Sequence, residues 1–269
     1  SGAPAEVLLL RAVDAEGTFE AMVSPGGKLK PGRRIAVADD LAVEVLAVTE
    51  RRTRLVRLHT AGDPMAAVER HGHVPLPPYI HRADDPDDAT RYQTVYAREQ
   101  GSVAAPTAGL HFTPEVLAAV EARGVRRVEV LLHVGAGTFK PVEVDDPTQH
   151  VMHEEWYRVS GEAADAIRAA RAAGGKVWAV GTTSMRTLES AANADGTVRA
   201  EARDTALFIR PPYDFRVVDR LITNFHLPKS TLIMLVAAFA GSDLTMHAYE
   251  TAVREGYRFY SYGDAMCIV

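Results

Sequence analysis

Six short segments hold the side chains able to move protons or to grip a small polar ligand. The first runs from Arg91 to Thr113 (RYQTVYAREQGSVAAPTAGLHFT), a loop of small and polar residues with Gly101, Pro106 and Gly109 that ends in Leu110-His111-Phe112. Small residues let a ligand or a second backbone approach closely, and His111 stands just ahead of an expected helix N-terminus at Thr113-Pro114. Taken alone, the segment reads more readily as a tight turn with a hydrogen-bonded histidine. The second, His133 to Phe139 (HVGAGTF), is a Gly-rich exit from an expected strand and could cradle a nucleotide. It lacks the third glycine of G-x-G-x-x-G, and Pro141 interrupts the helix that such a fingerprint requires.

His150, His153, Glu154 and Glu155 lie within six residues. Two histidines three apart can share a helix face, but nothing nearby completes a zinc ligand set. Carboxylates beside imidazoles suit general acid-base work, the competing reading being a solvated charged turn. Gly181-Thr182-Thr183-Ser184-Met185-Arg186 sets hydroxyls and free N–H groups where an expected buried strand, Val177 to Val180, meets a helix. A carboxylate, ribose or phosphate fits there, with Arg186 as a fork, and so does a plain helix cap. Thr223 to Thr231 (TNFHLPKST) joins Asn224, Phe225 and His226 in one loop ahead of an apolar helix, a set able to read and stack a base, with Ser230 the alternative helix cap. Tyr257 to Met266 is aromatic-rich with Asp264 after Gly263, and reads most simply as a C-terminal strand filling the core.

These segments need a framework. Short β-prone runs at Val7–Leu10, Phe19–Val23, Arg34–Val37, Val43–Val48 and Arg54–Leu58, punctuated by Pro25-Gly26-Gly27 and Pro31-Gly32, predict a small antiparallel β-barrel domain over residues 1–72. The stretch His71–Asp88, with Pro75, Pro77, Pro78 and Pro86, reads as a linker. From residue 73 onward, strands alternate with helices, which predicts an α/β catalytic domain over 73–269. Expected elements there are helices at Thr113–Arg123, Gly161–Ala173, Ser184–Ala192, Ser230–Ala240 and Leu244–Glu255, and a strand at Val128–Val134.

Composition narrows the function classes. The 269 residues are 47% hydrophobic and 24% charged, as in ordinary globular proteins, and the net charge of −5 argues against sequence-independent coating of nucleic acid. Basic and acidic residues balance up to Pro75. Much of the acidic excess lies in Asp84, Asp85, Asp87 and Asp88. The single Cys267 permits neither an internal disulfide nor a thiolate cage. The longest apolar run, Thr231–Ala240, is about half of a membrane span, and no signal segment follows Ser1-Gly2. A cytoplasmic protein without membrane attachment is expected.

Taken together and in this order, Arg91–Thr113, His133–Glu155, Val180–Ser190, Asp219–Gly241 and Ala248–Met266 resemble the S-adenosylmethionine:tRNA ribosyltransferase-isomerase family of queuosine biosynthesis. Val7–Leu10 and Val74–Ile80 extend the likeness. The resemblance implies that S-adenosylmethionine gives its ribosyl group, not its methyl, to a 7-aminomethyl-7-deazaguanine at the tRNA wobble position. Adenine and methionine leave and epoxyqueuosine forms. S-adenosylmethionine is consumed as a substrate, with no metal or other cofactor expected. The sulfonium acidifies the ribose C5′–H, so the reaction requires a base, a donor to the leaving adenine and an uncharged acceptor amine. Within this resemblance, proton transfer is expected of His111, His133, His153 and Glu155. Contacts to cofactor and substrate are expected of Thr138, Thr182, Thr183, Arg186, Asn224 and His226. Two departures stand out: the family's preceding segment with an Asn-Asp-Thr-Arg motif is not found, and Pro211-Pro212-Tyr213 replaces the more usual Pro-Gly-Tyr.

Two other classes compete. An S-adenosylmethionine-dependent methyltransferase is suggested by Gly135-Ala136-Gly137 and would yield S-adenosylhomocysteine instead of adenine. An RNA-binding module would use the barrel with Arg51, Arg52, Arg54 and Arg57 and release no adenine.

Overall fold

The structure is a computed structural model that describes residues 3–77, 79–99, 101–102, 104–135, 146–150, 152 and 154–269. Thr138 and His153, both singled out above, lie outside the described residues. The chain divides into two compact units, one of residues 1–89 with 99–103, the other of residues 90–98 with 104–269.

The first unit is built on one antiparallel sheet. Its strands are β1 (Glu6–Ala12), β2 (Thr18–Ser24), β3 (Arg34–Ala38), β4 (Leu41–Val48) and β5 (Arg54–His59), in the order β1-β2-β5-β4-β3. Period-two alternation does the sorting: Leu41, Val43 and Val45 of β4, and Val56 and Leu58 of β5, point to one face and are buried with Phe19 and Ala21. Helix α1 (Pro64–His71) joins this core through Ala67. It was not expected, although its signal was present: Asp63 caps it by accepting the Ala66 N–H, and Pro64 opens the first turn. Irregular register at Leu9/Arg11, Ala36/Ala38 and Val45/Ala47 bends three of the strands. The acidic loop is satisfied locally. Asp84 accepts from Val74 N and His73, and Asp88, at the start of the short helix α2 (Asp88–Arg91), takes a two-pronged contact from Arg82.

The second unit is a mixed α/β structure. After α3 (Pro114–Glu121), capped by Thr113, come β6 (Val130–Leu132), β7 (Glu155–Val159), α4 (Gly161–Ala172), β8 (Trp178–Val180), α5 (Thr182–Ser190), β9 (Glu201–Thr205), β10 (Arg220–Asn224), α6 (Thr231–Ala240), α7 (Ser242–Arg254) and β11 (Ala265–Ile268). One sheet is antiparallel, in the order β6-β7-β9; the other runs β11-β10-β8, with β10 parallel to β8 and antiparallel to β11. Helix α5 supplies Met185 and Leu188 to a core shared with Ala179, Leu221, Leu235 and Val236.

Two expectations change. Strand β8 is an edge strand whose Trp178 is 46% exposed, because only its alternate residue Ala179 faces the core. The aromatic run after Tyr257 is mostly not strand. Phe259 instead stacks near Phe225 and Tyr249, and pairing begins only at Ala265. No single helix among the described residues is long and apolar enough to cross a membrane.

Candidate active site

The carboxyl ends of parallel strands β8 and β10 lie side by side, the position at which open α/β sheets commonly place a ligand crevice. Residue Gly181 follows β8, donates its N–H to Ile222 O at 2.8 Å, and turns the chain into α5 at φ +89°, a conformation that disfavours side chains. It leaves the helix without a side-chain cap. The Thr182 and Thr183 hydroxyls make no hydrogen bond among the described residues, so α5 opens with unspent donors and a favourable dipole.

Asn224 ends β10 and is 1% exposed. Its Oδ1 accepts from the Thr107 hydroxyl at 3.2 Å, and its Nδ2 faces both Tyr260 O at 3.2 Å and His111 Nε2 at 3.3 Å. His111 closes a 3-10 turn over Thr107–His111 and its ring is exposed. That turn is possible only because Gly109 has no side chain: a Cβ there would stand 2.0 Å from the Tyr96 hydroxyl and 2.7 Å from Thr94. Ala108 in the same turn lies against Gly181. Two residues beyond Asn224, His226 exchanges a 2.8 Å hydrogen bond with the Thr223 hydroxyl, and its N–H donates to the Tyr249 hydroxyl. Burial pushes the His226 imidazole down to about 4, so it is neutral at physiological pH.

A second cluster lies one turn further along α5. Arg186, four residues after Thr182 and therefore on the same helix face, donates to the Glu155 carboxylate and to Leu207 O at 3.2 Å. Glu155 also accepts the Gly135 N–H at 3.0 Å, so it ties the glycine-rich strand exit to α5. One Arg186 nitrogen, Nη2, is buried and has no hydrogen-bond partner among the described residues. His133 is half-buried with its ring edge-on to Trp156; its backbone N–H donates to Trp156 O at 2.8 Å, and its ring nitrogens make no hydrogen bond among the described residues.

The fold thus sets His111 against Asn224 at the carboxyl end of β10, beside the end of β8 that leads into Thr182 and Thr183, with His226 two residues further on, and it joins Glu155, Arg186 and Gly135 in a second cluster. His150 packs on Phe208, and among the described residues no group of three His, Cys, Asp or Glu stands at metal-binding spacing. Thr107, Tyr249 and the Tyr260 carbonyl were not anticipated. Thr107 sat inside the flagged loop, whereas nothing in the sequence marks a backbone oxygen or a distant tyrosine. Of the arginines in the first unit, Arg54 donates to the carbonyls of Gly26, Leu29 and Arg52. A groove of about 810 Å³ lined by Arg126, Arg127 and α4 contains none of the flagged residues.

Residues 1–268 match the family described as queuosine biosynthesis protein. The chain belongs to this family. Among curated relatives, the S-adenosylmethionine:tRNA ribosyltransferase-isomerase of Symbiobacterium thermophilum is 55% identical over 100% of this chain and 78% of its own length. That of Rhodospirillum rubrum is 56% identical over 97% of this chain and 75% of its own. The crystal structure of the S-adenosylmethionine tRNA ribosyltransferase from Thermotoga maritima shares 36% identity, with a TM-score of 0.50, covering 100% of this chain and 76% of that one. Membership in the queuosine biosynthesis family makes this a transferase chain and accounts for the common order of the five motifs.

Proposed function

We propose that this chain transfers and isomerises the ribosyl group of S-adenosylmethionine onto 7-aminomethyl-7-deazaguanine at the tRNA wobble position, giving epoxyqueuosine, adenine and methionine. The observation that carries this reading is identity of 55% and 56%, over 100% and 97% of this chain and 78% and 75% of theirs, to enzymes named S-adenosylmethionine:tRNA ribosyltransferase-isomerase. S-adenosylmethionine is the consumed substrate and no other cofactor takes part. The reaction proceeds in the cytoplasm, where its tRNA substrate resides.

In this reading the unspent donors of Thr182, Thr183 and the first turn of α5 hold the carboxylate or ribose oxygens of S-adenosylmethionine. Asn224, His226 and His111 line the same crevice. Glu155, paired with Arg186 and accepting the Gly135 N–H, holds the glycine-rich strand exit in place. The ribose C5′ proton then falls to His133 or His153. The five-stranded sheet of the first unit belongs to a small β-barrel, a reading supported by its three strand irregularities.

The test is incubation with S-adenosylmethionine and tRNA carrying the 7-deazaguanine precursor, followed by nucleoside mass analysis. Epoxyqueuosine with free adenine is the expected result. S-adenosylhomocysteine would instead identify a methyltransferase, and tRNA binding without adenine release an RNA-binding module.

A further inference from the structure

We infer that Asn224 fixes His111 as a neutral hydrogen-bond donor, with its proton on Nδ1, and that His111 is therefore not the base of the reaction. The inference concerns the crevice assigned above and rests on that reading for its chemical meaning.

The orientation of the Asn224 amide decides the matter. A backbone carbonyl can only accept, so the end of the amide facing Tyr260 O at 3.2 Å is the nitrogen. The Thr107 hydroxyl donating to the other end at 3.2 Å agrees with this. The same Nδ2 lies 3.3 Å from His111 Nε2. An amide nitrogen has two hydrogens, one for the carbonyl and one for the imidazole. His111 Nε2 must then offer its lone pair, and the ring proton sits on Nδ1. Taking up a second proton at Nε2 would set two donors face to face beside a buried amide that cannot turn without abandoning Tyr260 O. The charged group that interacts with the ring is Asp264. Asp264 precedes Ala265, the partner of Asn224 across β10 and β11, and is itself held by the Arg258 N–H at 2.7 Å and guanidinium at 3.3 Å.

The ring is exposed, and Nδ1 makes no hydrogen bond among the described residues. What it offers a ligand is an N–H aimed at an acceptor, such as a purine nitrogen or a ribose oxygen. As the bond between ribose and adenine breaks, its electron pair moves onto the base; a donor there stabilises the growing negative charge while keeping its own proton, and the departing base takes the proton that completes adenine from water.

Two measurements test this on the full chain. Long-range ¹H–¹⁵N correlation of ¹⁵N-histidine-labelled protein, with the His111 signals assigned by their loss in His111→Ala, is expected to show the Nδ1–H tautomer at neutral pH. An Nε2–H tautomer or an imidazolium overturns the inference. Adenine release is then compared among the parent, His111→Asn and His111→Ala, each checked for native fold by circular dichroism. Asparagine places an amide N–H near the position of Nδ1–H and cannot titrate. It is expected to stay within about tenfold of the parent while alanine falls by about 100-fold, the lower range for loss of a catalytic group. Equal losses in the two variants overturn the donor role. A parent chain that shows the Nδ1–H tautomer but releases no adenine would instead defeat the functional reading and leave the tautomer assignment in place.

Discussion

Arg186 of α5 and Glu155 of β7 form an ion pair whose side chains are 8% and 6% exposed. Separated by thirty-one positions, they join two segments that each looked weak alone, and the Gly135 N–H on the same carboxylate adds a third. Breaking one side of a buried pair leaves the other charge without water or partner. Glu155→Gln should therefore lower unfolding free energy by about 3–5 kcal/mol in urea titration. Glu155→Gln combined with Arg186→Met should recover much of that loss. A Glu155→Gln variant as stable as the parent would mean that the pair contributes nothing.

The unspent hydroxyls at the start of α5 give a prediction about binding. Thr182→Val and Thr183→Val remove one donor each while keeping shape, and each should raise KM for S-adenosylmethionine by roughly tenfold, about 1.4 kcal/mol, the scale of one hydrogen bond. Turnover at saturation should change less. Steady-state kinetics separates the two parameters, and an unchanged KM in both variants would remove this turn from the binding site.

His226 predicts a pH dependence of stability. Its folded value, about 4, lies below the ordinary 6.5, so the unfolded chain binds the extra proton first as pH falls. Its contribution is complete above pH 6.5, declines between 6.5 and 4, and is gone below. The change amounts to roughly 3 kcal/mol at most. Urea unfolding across that range should show a steeper decline for the parent than for His226→Asn. Parallel curves would show that the imidazole is not the group responsible.

Gly109 predicts a steric effect with a specific remedy. In Gly109→Ala the new methyl meets the Tyr96 hydroxyl first, at 2.0 Å, and the turn bearing His111 must shift. A loss of about 1–3 kcal/mol in thermal or urea unfolding is expected, together with slower adenine release. Adding Tyr96→Phe removes the closest atom and should restore part of both. A double variant no better than Gly109→Ala would place the strain elsewhere in the turn.

The strands of the first unit were legible because each is short and β-prone, with Gly17 and Pro25 bounding β2 and Gly32 preceding β3; all five appear within two residues of their expected limits. Helix caps were equally legible where Thr113 and Ser230 preceded apolar runs. Helix α1 was missed despite Asp63-Pro64, because neighbouring prolines drew attention to a linker. The pairing of His111 with Asn224 could not be read, since it spans more than a hundred residues and depends on β10 lying parallel to β8. Glu189 was also invisible: its carboxylate accepts the N–H groups of Arg216, Val217 and Val218, a role that only the folded backbone defines.

Helix α5 carries Thr182 and Thr183 in its first turn, Arg186 in its second and Glu189 near its end, and the last two are anchored to different parts of the unit. A rotation of the helix by a small fraction of a turn would unseat both anchors at once. The segment is therefore poor material for transplantation: a chimera exchanging it between related enzymes would have to carry the Glu155 strand and the Arg216–Val218 loop along with it, and these parts can diverge only as a set.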